Sequence, residues 1–319
     1  MPISKCLWRY RYQGQNIISE IPLAALKDQE IESANGDIFV TKSAYSGSEL
    51  VENSSGWLIG TDAFGFDVSG AARFVISSGH TISVSPAANA SAILIEQIIL
   101  GTAFAVSMMQ RRQFCLHAAV LSRNGLTIAF CGNSGEGKST LAMALGQAGW
   151  NVLTDDLALP ELNGGAFFVA NDGRHLRLWR ESLLALNCPM DGVVRISDSE
   201  EKFYIQSPSR SNSQTERLDA ICFLESGGAE ESFSIQSPPG IKGLALLRQH
   251  TYRAELLSLM GCDASHLQFS CELQARIPLF MLKRPRSLER LRQIDKFLMG
   301  VDFMSRNSAP GFAPSSGSH

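Results

Sequence analysis

The stretch Gly132 to Ser139, "GNSGEGKS", most restricts what this chain can fold into. It fits G-x-x-x-x-G-K-[ST], a loop whose successive backbone N–H groups turn into one hollow and cradle phosphate. Glycine supplies the φ values that such a turn needs and lets an anion approach the backbone. Context agrees with the motif. "LTIAFC" before the loop is a strand pattern, "STLAMALGQAG" after it is a helix pattern, and Gly149 stands at a C-cap position. A helix beginning near Lys138 adds unpaired N–H groups and a positive dipole end. Gly132, Asn133, Ser134, Gly135, Glu136, Gly137, Lys138, Ser139 and Thr140 are therefore the candidate nucleotide-binding residues. Lys138 is expected to reach the β- and γ-phosphates and Ser139 to ligate Mg2+. Thr140 is expected at a helix or α-phosphate contact. Glu136 is unusual in an anion site, and its side chain is expected to point outward.

After Gly149 comes "WNVLTDDLALP", a short strand ending in Asp155 and Asp156. A strand–loop–helix–strand unit with a right-handed crossover makes its two strands parallel. The loop and the acid pair then meet at the carboxyl edge of one sheet, where such sheets bind ligands. Two carboxylates beside a triphosphate can divide the work. One can hold Mg2+ and the other can take a proton from an attacking hydroxyl.

Upstream, "LHAAVLSRNGLTIAFCG" carries Asn124-Gly125 between two apolar runs, a two-residue hairpin signal. With Arg123 opposite Leu126, the register puts His117 opposite Gly132. Local turn chemistry thus places an imidazole beside the phosphate hollow, where it can stabilise a transferred phosphoryl group or tune the acids.

These residues and their order resemble the core of bacterial HPr kinase/phosphorylase. In that family a histidine opens the strand before the loop strand, and a short helix leads from the loop directly to Asp-Asp. The resemblance covers about an eighth of the chain. It implies an α/β P-loop kinase core of the type shared with phosphoenolpyruvate carboxykinase, to which the strand patterns before it and the helical patterns after it add a β-rich N-terminal domain and a helical C-terminal part. It also implies ATP and Mg2+ as cofactors, His117 and Lys138 in catalysis, and one of Asp155 and Asp156 as the base. The other acid, taken as Asp156, would share the metal with Ser139, although the sequence does not separate the two roles. The family's downstream glycine-rich signature and its regulatory domain are not evident. "YRYQGQNIISEIPLAAL" and "LRLWRESLLAL" instead look like the HPr kinase-like proteins of lasso peptide gene clusters. That second resemblance implies a kinase for a serine at the C-terminus of a precursor peptide.

The remaining chain bounds the alternatives. Net charge is −3 with no long basic run, so nucleic acid is not an expected partner. Seven cysteines include no C-x-x-C, which argues against a disulfide framework or zinc site and for a reducing cytoplasm. The start, "MPISKCLWRY", has no signal-peptide core. "AILIEQIILGTAFAVSMM" is interrupted by Glu96 and Gln97 and reads as a buried helix, from about 90 to 111, rather than a membrane span. No membrane partner is expected, and a homo-oligomer stays open.

The expected organisation is a β-rich region over 1–87 that can recognise substrate, a kinase domain over 88–304, and a disordered Ser/Pro/Gly-rich tail over 305–319. "IKGLALLRQHTYRAELLSLM" and "SLERLRQIDKFLMG" read as helices, which puts His250 and Arg253 on a helix in structural roles. Trp179 is expected in the core and Cys131 as an inert strand residue. Arg174, Arg177, Arg180 and Lys202 are expected mainly as solvated charges. The expected partner is a peptide or small protein bearing an acceptor serine. A small-molecule kinase and a non-catalytic ATP sensor are the competing readings.

Overall fold

The structure, a computed structural model, describes residues 7–32, 35–172, 176–189, 191, 193–195, 201–205, 214–228, 232–285 and 287–303. Arg174 and the C-terminal tail lie outside the described residues.

The N-terminal region forms one sheet from β1 (Trp8–Tyr12), β2 (Gln15–Ser19), β3 (Ile38–Thr41), β4 (Val51–Glu52), β5 (Trp57–Ile59), β6 (Ala63–Val68), β7 (Ala72–Ser77) and β8 (Thr81–Pro86). Their order is β1-β2-β3-β8-β7-β6-β5-β4. Ser78 and Gly79 turn the β7–β8 hairpin with positive φ. The helix Ala92–Gln110 packs its apolar residues into the same core as this sheet. Among the described residues it is the one helix long and apolar enough to cross a membrane, but 72% of its apolar window is buried inside the protein. Its middle, Ile99–Ala103, widens into a π-turn.

β9 (Ala118–Arg123), β10 (Leu126–Cys131) and β11 (Asn151–Thr154) begin the second large sheet. Two three-stranded sheets follow, β12 (Glu161–Asn163) and β13 (Ala166–Ala170) with β17 (Thr215–Arg217), and β14 (Leu176–Trp179), β15 (Val194–Arg195) and β16 (Lys202–Ile205). The main sheet is completed by β18 (Ala220–Ser226), β19 (Ser234–Gln236) and β20 (Leu279–Arg284), in the order β11-β9-β10-β18-β20-β19.

Asn124 and Gly125 both have positive φ, as a two-residue hairpin turn requires, and Arg123 pairs with Leu126. The register runs unbroken to Ala118 opposite Cys131. β11 does not sit beside β10. It pairs antiparallel with β9, which pairs antiparallel with β10. β10 and β11 therefore run the same way with β9 between them, and both end at one edge. The intervening strand is why His117, just before β9, also reaches that edge.

The C-terminal run is not one helix. Gly240–Gln249 ends at His250, Thr251 bridges to Leu116, and Arg253 has positive φ before the short helix Leu256–Leu259. The expected helical placement of His250 and Arg253 is corrected accordingly. Strand-like pairing to Leu116 captures this segment and brings His250 under the loop: its carbonyl accepts from the His117 backbone N–H at 2.7 Å.

The hairpin turn of β1 and β2 plugs into the segment after the acid pair. Gln13 is fully buried with positive φ. Its Nε2 donates to the Leu157 carbonyl at 2.6 Å, and its Oε1 accepts from the Leu159 N–H at 3.2 Å. Gln13→Ala strands both backbone groups in the interior. It is expected to cost about 2–3 kcal/mol, read as a lower urea midpoint at unchanged slope. A midpoint equal to wild type would show that the contact carries no stability.

Candidate active site

The loop after β10 has the backbone that its glycines predict. Gly135 and Gly137 lie at φ 86° and 76°, and Gly137 caps the helix Lys138–Gln147. Gly149 follows that helix at φ 91°. Gly132 has no left-handed φ, but a Cβ there would meet the Glu136 carboxylate at 2.7 Å. Glu136 does not point outward. Its two oxygens accept from the Asn133 N–H at 2.5 Å and the Asn133 side-chain amide at 2.9 Å, so the carboxylate helps to fold the loop.

Lys138 is buried, and its Nζ donates to the carbonyls of Gly132 at 2.7 Å and Asn133 at 3.3 Å. Burial pushes its pKa down, against the field of Asp156. The ammonium is thus held over the hollow by the loop's own backbone. Thr140 is turned toward Ser182, with 2.9 Å between the two hydroxyls.

The acid pair ends β11 at the same edge. Asp156 Oδ1 lies 3.5 Å from His117 Nε2, and its Oδ2 pairs with the Arg177 guanidinium. Asp155 is buried. One of its oxygens accepts from the Arg177 backbone N–H at 2.9 Å, and the other is enclosed with no hydrogen-bond partner. Burial raises its pKa to about 6, opposed by the Arg177 backbone bond and by the Ser139 hydroxyl. The structure therefore brings His117, Lys138, Ser139, Asp155 and Asp156 together around one loop. A cavity of about 350 Å3 includes all of these except His117, along with Arg177, Trp179 and Lys202.

Several residues depart from their expected surroundings. Arg177 is bound to both acids rather than solvated, whereas Arg180 pairs with Glu201 at the surface. Trp179 is not core. It is 46% exposed at the cavity mouth, with Lys202 Nζ 5.5 Å from its ring centre. Cys131 is the inert thiol expected, fully buried with its pKa pushed up to about 12.

Two residues that the sequence did not single out for the site complete its other side. His250 stacks on Phe223 and is held down to about pKa 4 by burial, so it is neutral at physiological pH. Arg284, at the end of β20, donates to the Glu136 carbonyl. Tyr252 packs edge-on against the His117 ring, with centres 5.7 Å apart, and its hydroxyl rests against Gly101 of the π-turn.

No family model and no curated protein matches the chain. Among solved structures, it is similar to the HPr(Ser) kinase/phosphatase of Coxiella burnetii at a TM-score of 0.29 and 12% identity. That match covers 58% of this chain and 97% of the other. So loose a superposition carries no argument.

A carboxyl whose folded pKa lies above its ordinary 3.8 supports folding while protonated. That support is complete below about pH 4 and is lost as pH rises through about 6. Ligand-free Asp155→Asn removes the titration. It is expected to be more stable than wild type by ~1–3 kcal/mol near pH 8, with the difference closing by about pH 4. Denaturant curves at the two pH values check this, and a constant difference would contradict it.

Proposed function

We propose that the protein is an ATP-dependent phosphotransferase that moves the terminal phosphoryl group to a serine hydroxyl of a peptide or small protein. The observation that carries the reading is the meeting of Lys138, Asp155, Asp156, Arg177 and His117 at one loop mouth. Phosphoryl transfer asks little covalent chemistry of a protein. It needs in-line positioning, cations around the transferring oxygens and a group to receive the hydroxyl proton.

Asp156 fits the proton acceptor. Arg177 pairs with one of its oxygens and His117 lies beside the other, while it remains partly exposed to an entering hydroxyl. Asp155 fits a cation. Its enclosed oxygen lacks a partner, and the Ser139 hydroxyl acts on the same carboxyl. This reverses the metal role that the sequence reading gave to Asp156. Mg2+ uses few protein oxygens and completes its octahedron with water and phosphate. When bound, Mg2+ would neutralise charge between the nucleotide phosphates.

The exposed Trp179 and nearby Lys202 support an acceptor that lies across the cavity mouth. In the narrower reading the acceptor is the terminal serine of a lasso precursor peptide. That rests on the resemblance of the sequence motifs alone.

The test is incubation with MgATP and serine-bearing peptides, read by mass spectrometry. Wild type is expected to add one phosphate. Asp156→Asn should lower kcat by ~10²–10⁴-fold while leaving nucleotide affinity within a few fold. A protein that binds ATP tightly yet phosphorylates no peptide, with Asp156→Asn retaining every nucleotide-dependent property, would instead be a sensor.

A further inference from the structure

A second cavity, of about 960 Å3, lies on the β18 and β20 side of the loop. It and the acid cavity share Ser134, Gly135, Gly137 and Thr140, so the loop is the wall between them. Arg284 lines the larger cavity and presses on the loop at Gly137, where a Cβ would come within 2.6 Å of the guanidinium.

Arg284 is 8% exposed, and among the described residues no carboxylate pairs with it. Glu136, whose charge bears on it, has both oxygens committed to Asn133. One guanidinium nitrogen donates to the Glu136 carbonyl, and Nε is buried with no acceptor. A guanidinium carries five donors in a rigid fork that matches phosphate oxygens. Burying it without an anion is costly, so its placement calls for one. His250, across the cavity, is held neutral and brings no competing charge.

Resting on the nucleotide reading above, we infer that Arg284 is a phosphate-binding residue that holds the diphosphate of the leaving nucleotide from the side opposite the acid pair. In the transfer, the acceptor oxygen bonds to the terminal phosphorus and gives its proton to Asp156. The bond from that phosphorus to the bridging oxygen breaks, and its electron pair stays on the nucleoside diphosphate. Arg284 offsets the negative charge that appears there, while Lys138 serves the transferring group.

Calorimetric titration of wild type, Arg284→Gln and Arg284→Lys with MgADP and with AMP tests this, with melting temperature measured alongside. Arg284→Gln removes the charge and the fork but keeps a neutral polar side chain. It is expected to weaken MgADP by about 10- to 100-fold and AMP by less than about 3-fold, with the melting temperature nearly unchanged. Arg284→Lys keeps the charge but not the fork, is expected to fall between, and supplies the comparison should the glutamine variant not fold. Unchanged MgADP affinity in either folded variant would overturn the inference. So would equal loss of ADP and AMP together with melting temperature, which would mark a loop buttress. Wild type that binds no nucleotide would overturn the underlying reading and this one with it.

Discussion

The register of one hairpin underlies the site. Asn124 and Gly125 take the positive φ values of a two-residue turn, and the pairing that follows fixes each residue of β9 against β10. A slip of one residue would exchange the two faces of β9, which pack into different cores, Ala119 and Leu121 into one and Ala118 and Val120 into the other. All four residues are fully buried, so the packing on both sides holds the register. Because β9 lies between β10 and β11, its start faces both of their ends. The imidazole, the loop and the acids meet there as a result of strand direction and turn chemistry together.

At that edge, charges are taken from water and set against one another. Lys138 and Asp155 are both buried, and each is displaced toward its neutral form. Arg177 spans the acid pair, bonding Asp155 through its backbone and Asp156 through its guanidinium. Among the described residues, Arg284 and Lys138 donate to loop carbonyls and pair with no carboxylate. Two cationic side chains set against a glycine-rich loop at the start of a helix form a surface suited to a multiply charged anion. The N-terminal sheet is part of this arrangement, since Gln13 grips the chain directly after Asp156 and shares Leu157 with it in the core.

Much of the site was legible because its chemistry is local. The loop glycines, the Asn124-Gly125 turn and the Asp pair each announce a backbone conformation within a few residues. From those the convergence of His117 with the loop follows. The strand between β10 and β11 was not legible, because the crossover rule gives direction and not adjacency. His250 and Arg284 come from more than a hundred residues downstream and carry no local signal. "RQHTYRAE" even has helical spacing, which the bridge from Thr251 to Leu116 overrides. Trp179 looked like core by residue type. It is left at the cavity mouth because the helix Arg180–Ala185 begins immediately after it, in a small separate sheet.

The most direct test of convergence is where a planar phosphoryl mimic binds. A crystal structure with MgADP and aluminium fluoride should place the fluoride between Lys138 Nζ and Asp156, within hydrogen-bond reach of His117 Nε2. A complex with the fluoride bound away from both Asp156 and His117, or with ADP lodged outside the Gly132–Ser139 loop, would contradict the account.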